Sequence, residues 1–92
     1  MAYEVVINKR FSNKLLNILN FLVNEWSKKV ANEFLDIVYG RIHAIQAHPY
    51  IGSLTHIPNV RGLHVTKHNR MYYRVVKNKI IILNLYDTRK KK

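Results

Sequence analysis

Apolar residues recur along this chain in two rhythms, and the change from one to the other divides it. A short β-branched run, Tyr3 to Ile7 (YEVVI), reads as a strand. Phe11, Leu15, Ile18, Leu19, Leu22 and Trp26 then follow helical spacing. Ser12 stands where an N-cap would, so the pattern predicts an amphipathic helix from Ser12 to Trp26. A second stripe, Val30, Phe34, Ile37, Val38, Ile42 and Ile45, predicts another helix. Ser27 opens it and Pro49 stops it near Ala47 or His48, because the residue before proline is pushed out of the α region. Separated by Ser27 alone, the two helices should form a hairpin with one shared apolar surface. Phe11, Trp26 and Phe34 fall on that surface and are expected in the core.

From His48 to Val60 (HPYIGSLTHIPNV) no periodicity survives, and two prolines with Gly52 mark a loop. Strand-like segments follow at Leu63 to Thr66, Arg70 to Val76 and Ile80 to Tyr86, with hairpin-sized separations. Three-residue loops would set Arg74 opposite Ile82, Tyr72 opposite Asn84, Arg70 opposite Tyr86, Thr66 opposite Arg70 and His64 opposite Tyr72. That register gathers the cations on one face. It leaves Leu63, Val65, Met71, Tyr73, Val75, Ile81, Leu83 and Leu85 on the other, at the cost of placing Ile80 and Ile82 among the polar residues. Two-residue loops would mix Arg70 and Arg74 with Ile81, Leu83 and Leu85. The segregated register is the expectation.

The fold class that follows is α+β: an N-terminal strand, a two-helix hairpin, then a three-stranded antiparallel meander, with the helices on one face of the sheet. The 92 residues suit a single domain spanning 1–92, and 48% hydrophobic residues suit a packed core. With no cysteine, disulfides and Cys-ligated zinc are excluded, which fits a cytoplasmic protein. No apolar stretch approaches membrane-spanning length, so no membrane partner is expected.

Charge changes the picture further. The formal net charge is +11, and residues 61 to 92 hold ten cations against one acid, Asp87. A basic field so concentrated favours a polyanionic partner. On the open face of the expected sheet stand His64, Thr66, Arg70, Tyr72, Arg74, Asn84 and Tyr86, with Arg61 and the tail DTRKKK at its margins. Arginine grips phosphate with two parallel hydrogen bonds, and tyrosine or histidine stacks on bases, so the face suits RNA. Metal-free RNA cleavage would also need proton transfers and charge stabilisation at the scissile phosphate. Arg70, Arg74 and Arg89 are candidates for the charge, and His64, Tyr86 and Lys67 for the protons. Arg61, Lys67, Tyr72, Arg74 and Lys90 are candidate RNA-binding residues. The histidine spacings do not chelate one metal, and no Gly-rich phosphate loop occurs, so neither metal nor cofactor is expected.

The segments ANEFLDIVYGRIHAIQAHPYIG and VRGLHVTKHNRMYYRVVKNKIIILNLYDTR, in this order and with this basic second half, resemble the RelE/ParE superfamily of bacterial type II toxins over nearly the whole chain. The resemblance implies a growth-inhibiting toxin neutralised by a cognate acidic antitoxin. In the RelE-like branch such toxins enter the ribosome and cleave mRNA; there the family arginines fall on Arg70 and Arg89, and Arg61 or Lys67 stands in for neighbouring basic residues. Several RNA-cleaving members place a Tyr or His beyond the last arginine, where this chain has only KKK; His64 and Tyr86 are the substitutes. The expected function is ribosome-dependent mRNA cleavage by a metal-independent endoribonuclease. The alternative is a ParE-like inhibitor of DNA gyrase with no nuclease site.

Overall fold

The computed structural model describes residues 3–87. Strand β1, Glu4–Ile7, leads into helix α1, Lys9–Glu25, and helix α2, Lys28–Ala47. Four strands follow: β2, Ser53–Leu54; β3, Val60–Thr66; β4, Asn69–Val76; and β5, Lys79–Asp87. They form one sheet in the order β1-β5-β4-β3-β2, in which β1 runs parallel to β5 and the other neighbours are antiparallel. The expected α+β architecture is therefore present, with the helices packed on one sheet face. It is extended by β2, a two-residue edge strand within the segment read as a loop. No helix among the described residues is long and apolar enough to cross a membrane.

Helix α1 starts three residues earlier than its apolar stripe suggests. Asn8, not Ser12, is the N-cap, its side-chain oxygen accepting a hydrogen bond from the Arg10 N–H at 3.0 Å. The second helix opens as expected, with the Ser27 hydroxyl accepting from the Val30 N–H at 3.1 Å. Trp26 departs from expectation. It occupies the C-cap of α1, where the backbone leaves helical geometry, and its side chain is 71% exposed. The buried stripe of α1 thus stops at Leu22.

The core lies between the helices and one sheet face, built around Phe11, Phe34, Val38, Ile45, Met71, Tyr73, Ile80, Ile82 and Leu85. Helix α2 is tied to both sides of the sheet by polar contacts. Gln46 donates to the Tyr3 carbonyl at 2.9 Å, and Arg41 Nε donates to the His64 carbonyl at 3.0 Å.

Strand register resolves the conflict left by the sequence through two bulges. Arg70 faces Tyr86 and Tyr72 faces Asn84, as three-residue loops require, but the next pair is Tyr73 with Ile82. Leu83 is therefore an extra residue, and beyond it the strand follows the register of a two-residue turn, Lys77-Asn78, with Lys77 at φ 56°. Ile80 and Ile82 accordingly point into the core and are 0% exposed, correcting their expected place on the open face. Ile81 faces Arg74 instead. In the other hairpin His64 faces Arg70 and Thr66 faces Asn69, with Val65 as the extra, buried residue. A bulge switches the alternation of one strand at a single point, so cations and isoleucines can both reach their preferred faces.

Candidate functional site

The sheet face turned away from the helices is not flat. Val60, Gly62 and His64 of β3 lie opposite Arg74, Tyr72 and Arg70 of β4, so all six share that face. Across β4, Tyr72 and Arg70 face Asn84 and Tyr86 of β5. A wall rises on each side of this floor. On the β3 side, Thr55, His56 and Ile57 stand over Val60; on the far side are Asn8 and Arg10, from the start of α1. The result is a cleft of about 690 Å³ containing Arg10, Arg70 and Arg74, with no carboxylate among the described residues lining it.

The β3-side wall is held by its own hydrogen bonds. The Thr55 hydroxyl accepts from the Ile57 N–H at 3.1 Å and donates to the Val60 carbonyl at 2.9 Å, while the Val60 N–H returns to the Ile57 carbonyl at 3.1 Å. Asn59 closes this turn in the left-handed region at φ 66°, which asparagine tolerates better than most residues.

Arg70 is seated by what β3 lacks. A Cβ placed on Gly62 would lie 2.6 Å from Arg70 Nε and 2.8 Å from Cζ, so the guanidinium rests on bare backbone. Its Cζ stands 5.4 Å from the Tyr72 ring centre. Tyr72 meets Tyr86 edge to face, with centroids 5.4 Å apart and planes at 77°, and Lys14 Nζ lies 4.9 Å from the Tyr86 ring. The Nε atoms of Arg70 and Arg74 are buried and have no hydrogen-bond partner among the described residues. Burying a donor of a charged group without a partner is costly, and both arginines line the cleft.

Of the residues expected to act together, Arg70, Tyr72, Arg74 and Tyr86 do line this cleft. His64 shares the face but lies outside the cleft, with its side chain exposed. Lys67 is exposed in the β3-β4 turn, also off the cleft. Arg61 projects to the opposite face, where its guanidinium donates to the carbonyls of Tyr50 and Gly52 at 3.2 and 2.8 Å and covers the Tyr50 ring at 5.0 Å. Its contacts there fasten the loop to β3. Arg89 and Lys90 lie outside the described residues. Asn8, Arg10, His56 and Leu83 join the site without any signal in the sequence, because a helix start, a loop and a bulge bring them to the face. No periodicity marks such positions.

No curated protein sequence matches the chain. Among solved structures, one from the chromosomal ParDE toxin-antitoxin system of P. aeruginosa superposes with a TM-score of 0.80 at 18% identity, covering 92% of this chain and 95% of that one. A copper-bound mutant toxin from Helicobacter pylori superposes with a TM-score of 0.53, also at 18% identity, covering 92% of this chain and 93% of that one. At such identity the likeness is one of fold. Among the described residues no three His, Asp or Glu side chains converge as a metal site. The family model for the ParE toxin of the parDE type II toxin-antitoxin system matches residues 5–91, and with nearly the whole sequence matched the chain belongs to that toxin family.

Proposed function

We propose that this toxin arrests growth by binding and inhibiting DNA gyrase in the cytoplasm, and that an acidic antitoxin neutralises it. This exchanges the order of the two readings favoured by sequence alone. Membership of the ParE family supports the exchange. The observation that carries it is the state of the tyrosines. Tyr72 and Tyr86 pack against each other, and each already has a cation over its ring, Arg70 and Lys14 respectively. Rings engaged in this way form a cationic wall rather than a platform for stacking bases. His64, the imidazole expected to move protons, lies outside the cleft.

One observation favours mRNA cleavage as a second reading: His56 lines the same cleft as Arg70 and Arg74. An imidazole near two phosphate-gripping arginines is the minimum that general acid-base cleavage would need.

The two readings separate in paired assays, gyrase supercoiling and primer extension on an mRNA in a reconstituted translation reaction. Loss of supercoiling with intact mRNA is expected for the wild type, and the Arg70→Ala/Arg74→Ala variant should inhibit neither reaction. Ribosome-dependent cuts that vanish in His56→Ala, with supercoiling normal at saturating toxin, would transfer the assignment to the nuclease.

A further inference from the structure

Helix α1 carries a second apolar row besides the one it buries. Phe11, Leu15, Ile18 and Leu22 belong to the core or pack against it, while Leu16 and Val23, about a third of a turn round the helix, are 57% and 40% exposed. Leu19 lies between those two at the spacing of three then four that marks a helix-packing seam, and it is only half-buried. Beside this row stand Asn13, Asn17, Asn20 and Asn24, all exposed. Solvent-facing helix positions ordinarily hold Lys, Glu or Arg, which favour helix more than Asn does. From Leu15 to Asn24 the helix has no charged residue, in a chain of net charge +11.

We infer that this face joins two copies of the toxin, their α1 helices antiparallel about a twofold axis that passes between Leu19 and Asn20. About that axis Leu16 meets Val23 of the second copy, and the two Asn20 side chains lie together, each amide offering both a donor and an acceptor. Charge selects the occupant. Two copies of a protein of charge +11 repel unless they meet where cations are absent. Arg10 lines the cleft and Lys14 lies over the Tyr86 ring, both away from the row. The other long stretch without Lys, Arg, Asp or Glu, from Ile42 to Val60, is less suited, since Arg61 lies across its Tyr50. A polyanion finds no cation to grip between Leu16 and Val23. Joined through the helices, both copies keep their clefts open, because the cleft is on the opposite face of the sheet.

The twofold gives the inference a specific handle. Leu16→Glu or Val23→Lys alone sets a charge against an apolar side chain of the second copy. Together in one chain, the two substitutions form two ion pairs across the axis. Within a single helix these positions are two turns apart and do not pair with each other. The protein has no cysteine, so Asn20→Cys supplies a lone thiol beside the axis. Lys9 at one end of the row and Lys28 beyond the other place cations only at the rim.

The test is sedimentation velocity of the full-length, nuclease-treated toxin over a range of protein and salt concentrations. A monomer-dimer equilibrium is expected that tightens as salt rises, because screening weakens the repulsion between copies. Leu16→Glu and Val23→Lys should each raise the dissociation constant about tenfold or more, and the double variant should lower it again. Mild oxidation of Asn20→Cys should give a disulfide-linked dimer, whereas Leu54→Cys, also exposed but on the edge strand β2, should stay monomeric. Leu16, Asn20 and Val23 are exposed, so each variant is expected to fold, with circular dichroism as the check. A wild type that stays monomeric up to about 0.1 mM would overturn the interface and leave the row to a different partner, the antitoxin first. No recovery in the double variant, association that dissolves in high salt as a nucleic-acid bridge does, or equal cross-linking at positions 20 and 54 would overturn it as well.

Discussion

The Tyr73 hydroxyl is held between two backbone groups of the loop that follows α2, accepting from the Gly52 N–H at 2.9 Å and donating to the Pro49 carbonyl at 2.8 Å. This one side chain, 0% exposed, joins the centre of the sheet to the end of the helical hairpin. A Cβ on Gly52 would stand 2.8 Å from that hydroxyl and 2.9 Å from the Gly62 carbonyl, so the approach depends on glycine. Tyr73→Phe leaves the Gly52 donor and Pro49 acceptor without this partner. It should cost about 1–3 kcal/mol, read as a lower urea midpoint with an unchanged slope.

The same hydroxyl sets an alkaline limit. Burial pushes its pKa above the ordinary value of 10.0, opposed by the hydrogen bond with Gly52 and the positive charge of Arg61. In the unfolded chain the phenol ionises near its ordinary value, while in the folded chain it resists. The stabilisation is therefore full below pH 10.0 and is lost as pH rises from there through the folded-state value. Thermal melts of the wild type should fall over that window more steeply than those of Tyr73→Phe. Parallel curves would assign the alkaline transition to other groups.

Leu83 is the residue inserted into β5, so its removal should restore a regular ladder rather than destroy one. With Leu83 deleted, Ile82 still faces Tyr73 and Asn84 still faces Tyr72, so both halves of the strand keep their faces. Such a protein is expected to fold, with a native-like circular dichroism spectrum and a cleft that lacks the Leu83 side chain in its lining. Deletion of Ile81 instead turns Ile80, now 0% exposed, toward solvent, and should prevent folding.

Ser27 separates the two helices and caps the second. Replacing it with Ala leaves the Val30 N–H without its acceptor and should lower stability by about 1 kcal/mol, measured by chemical denaturation. Because the cap lies at the far end of the hairpin from the cleft, toxicity should be unaffected wherever the protein remains folded.

Growth inhibition should follow the cleft rather than total charge. Induced expression of Arg70→Ala/Arg74→Ala is expected to restore colony formation, while Lys77→Ala, which removes an exposed cation outside the cleft, should remain toxic. Equal relief by both would mean that charge alone acts.

Local pattern along the chain dictates the elements and their order. Helical and strand periods are properties of neighbouring residues, so spacing alone assigns Phe34, Val38, Ile42 and Ile45 to one buried stripe of α2, and Ser27 to its cap. The basic bias of the second half is equally legible, and with it Arg70, Tyr72, Arg74 and Tyr86 as one group. Contacts between distant segments settle what periodicity cannot encode. A bulge interrupts a period instead of showing one, so the inward turn of Ile80 and Ile82 follows only when β5 pairs on both sides, with β4 and with β1. Arg61 reads like its fellow cations in sequence, yet the carbonyls of Tyr50 and Gly52 draw it to the other face. Arg10 and His56 come from segments far apart in the chain and join the cleft because the ends of β1 and β2 meet the same sheet face. Which cations act together is a matter of distance through space, and the chain sets that distance only when it folds.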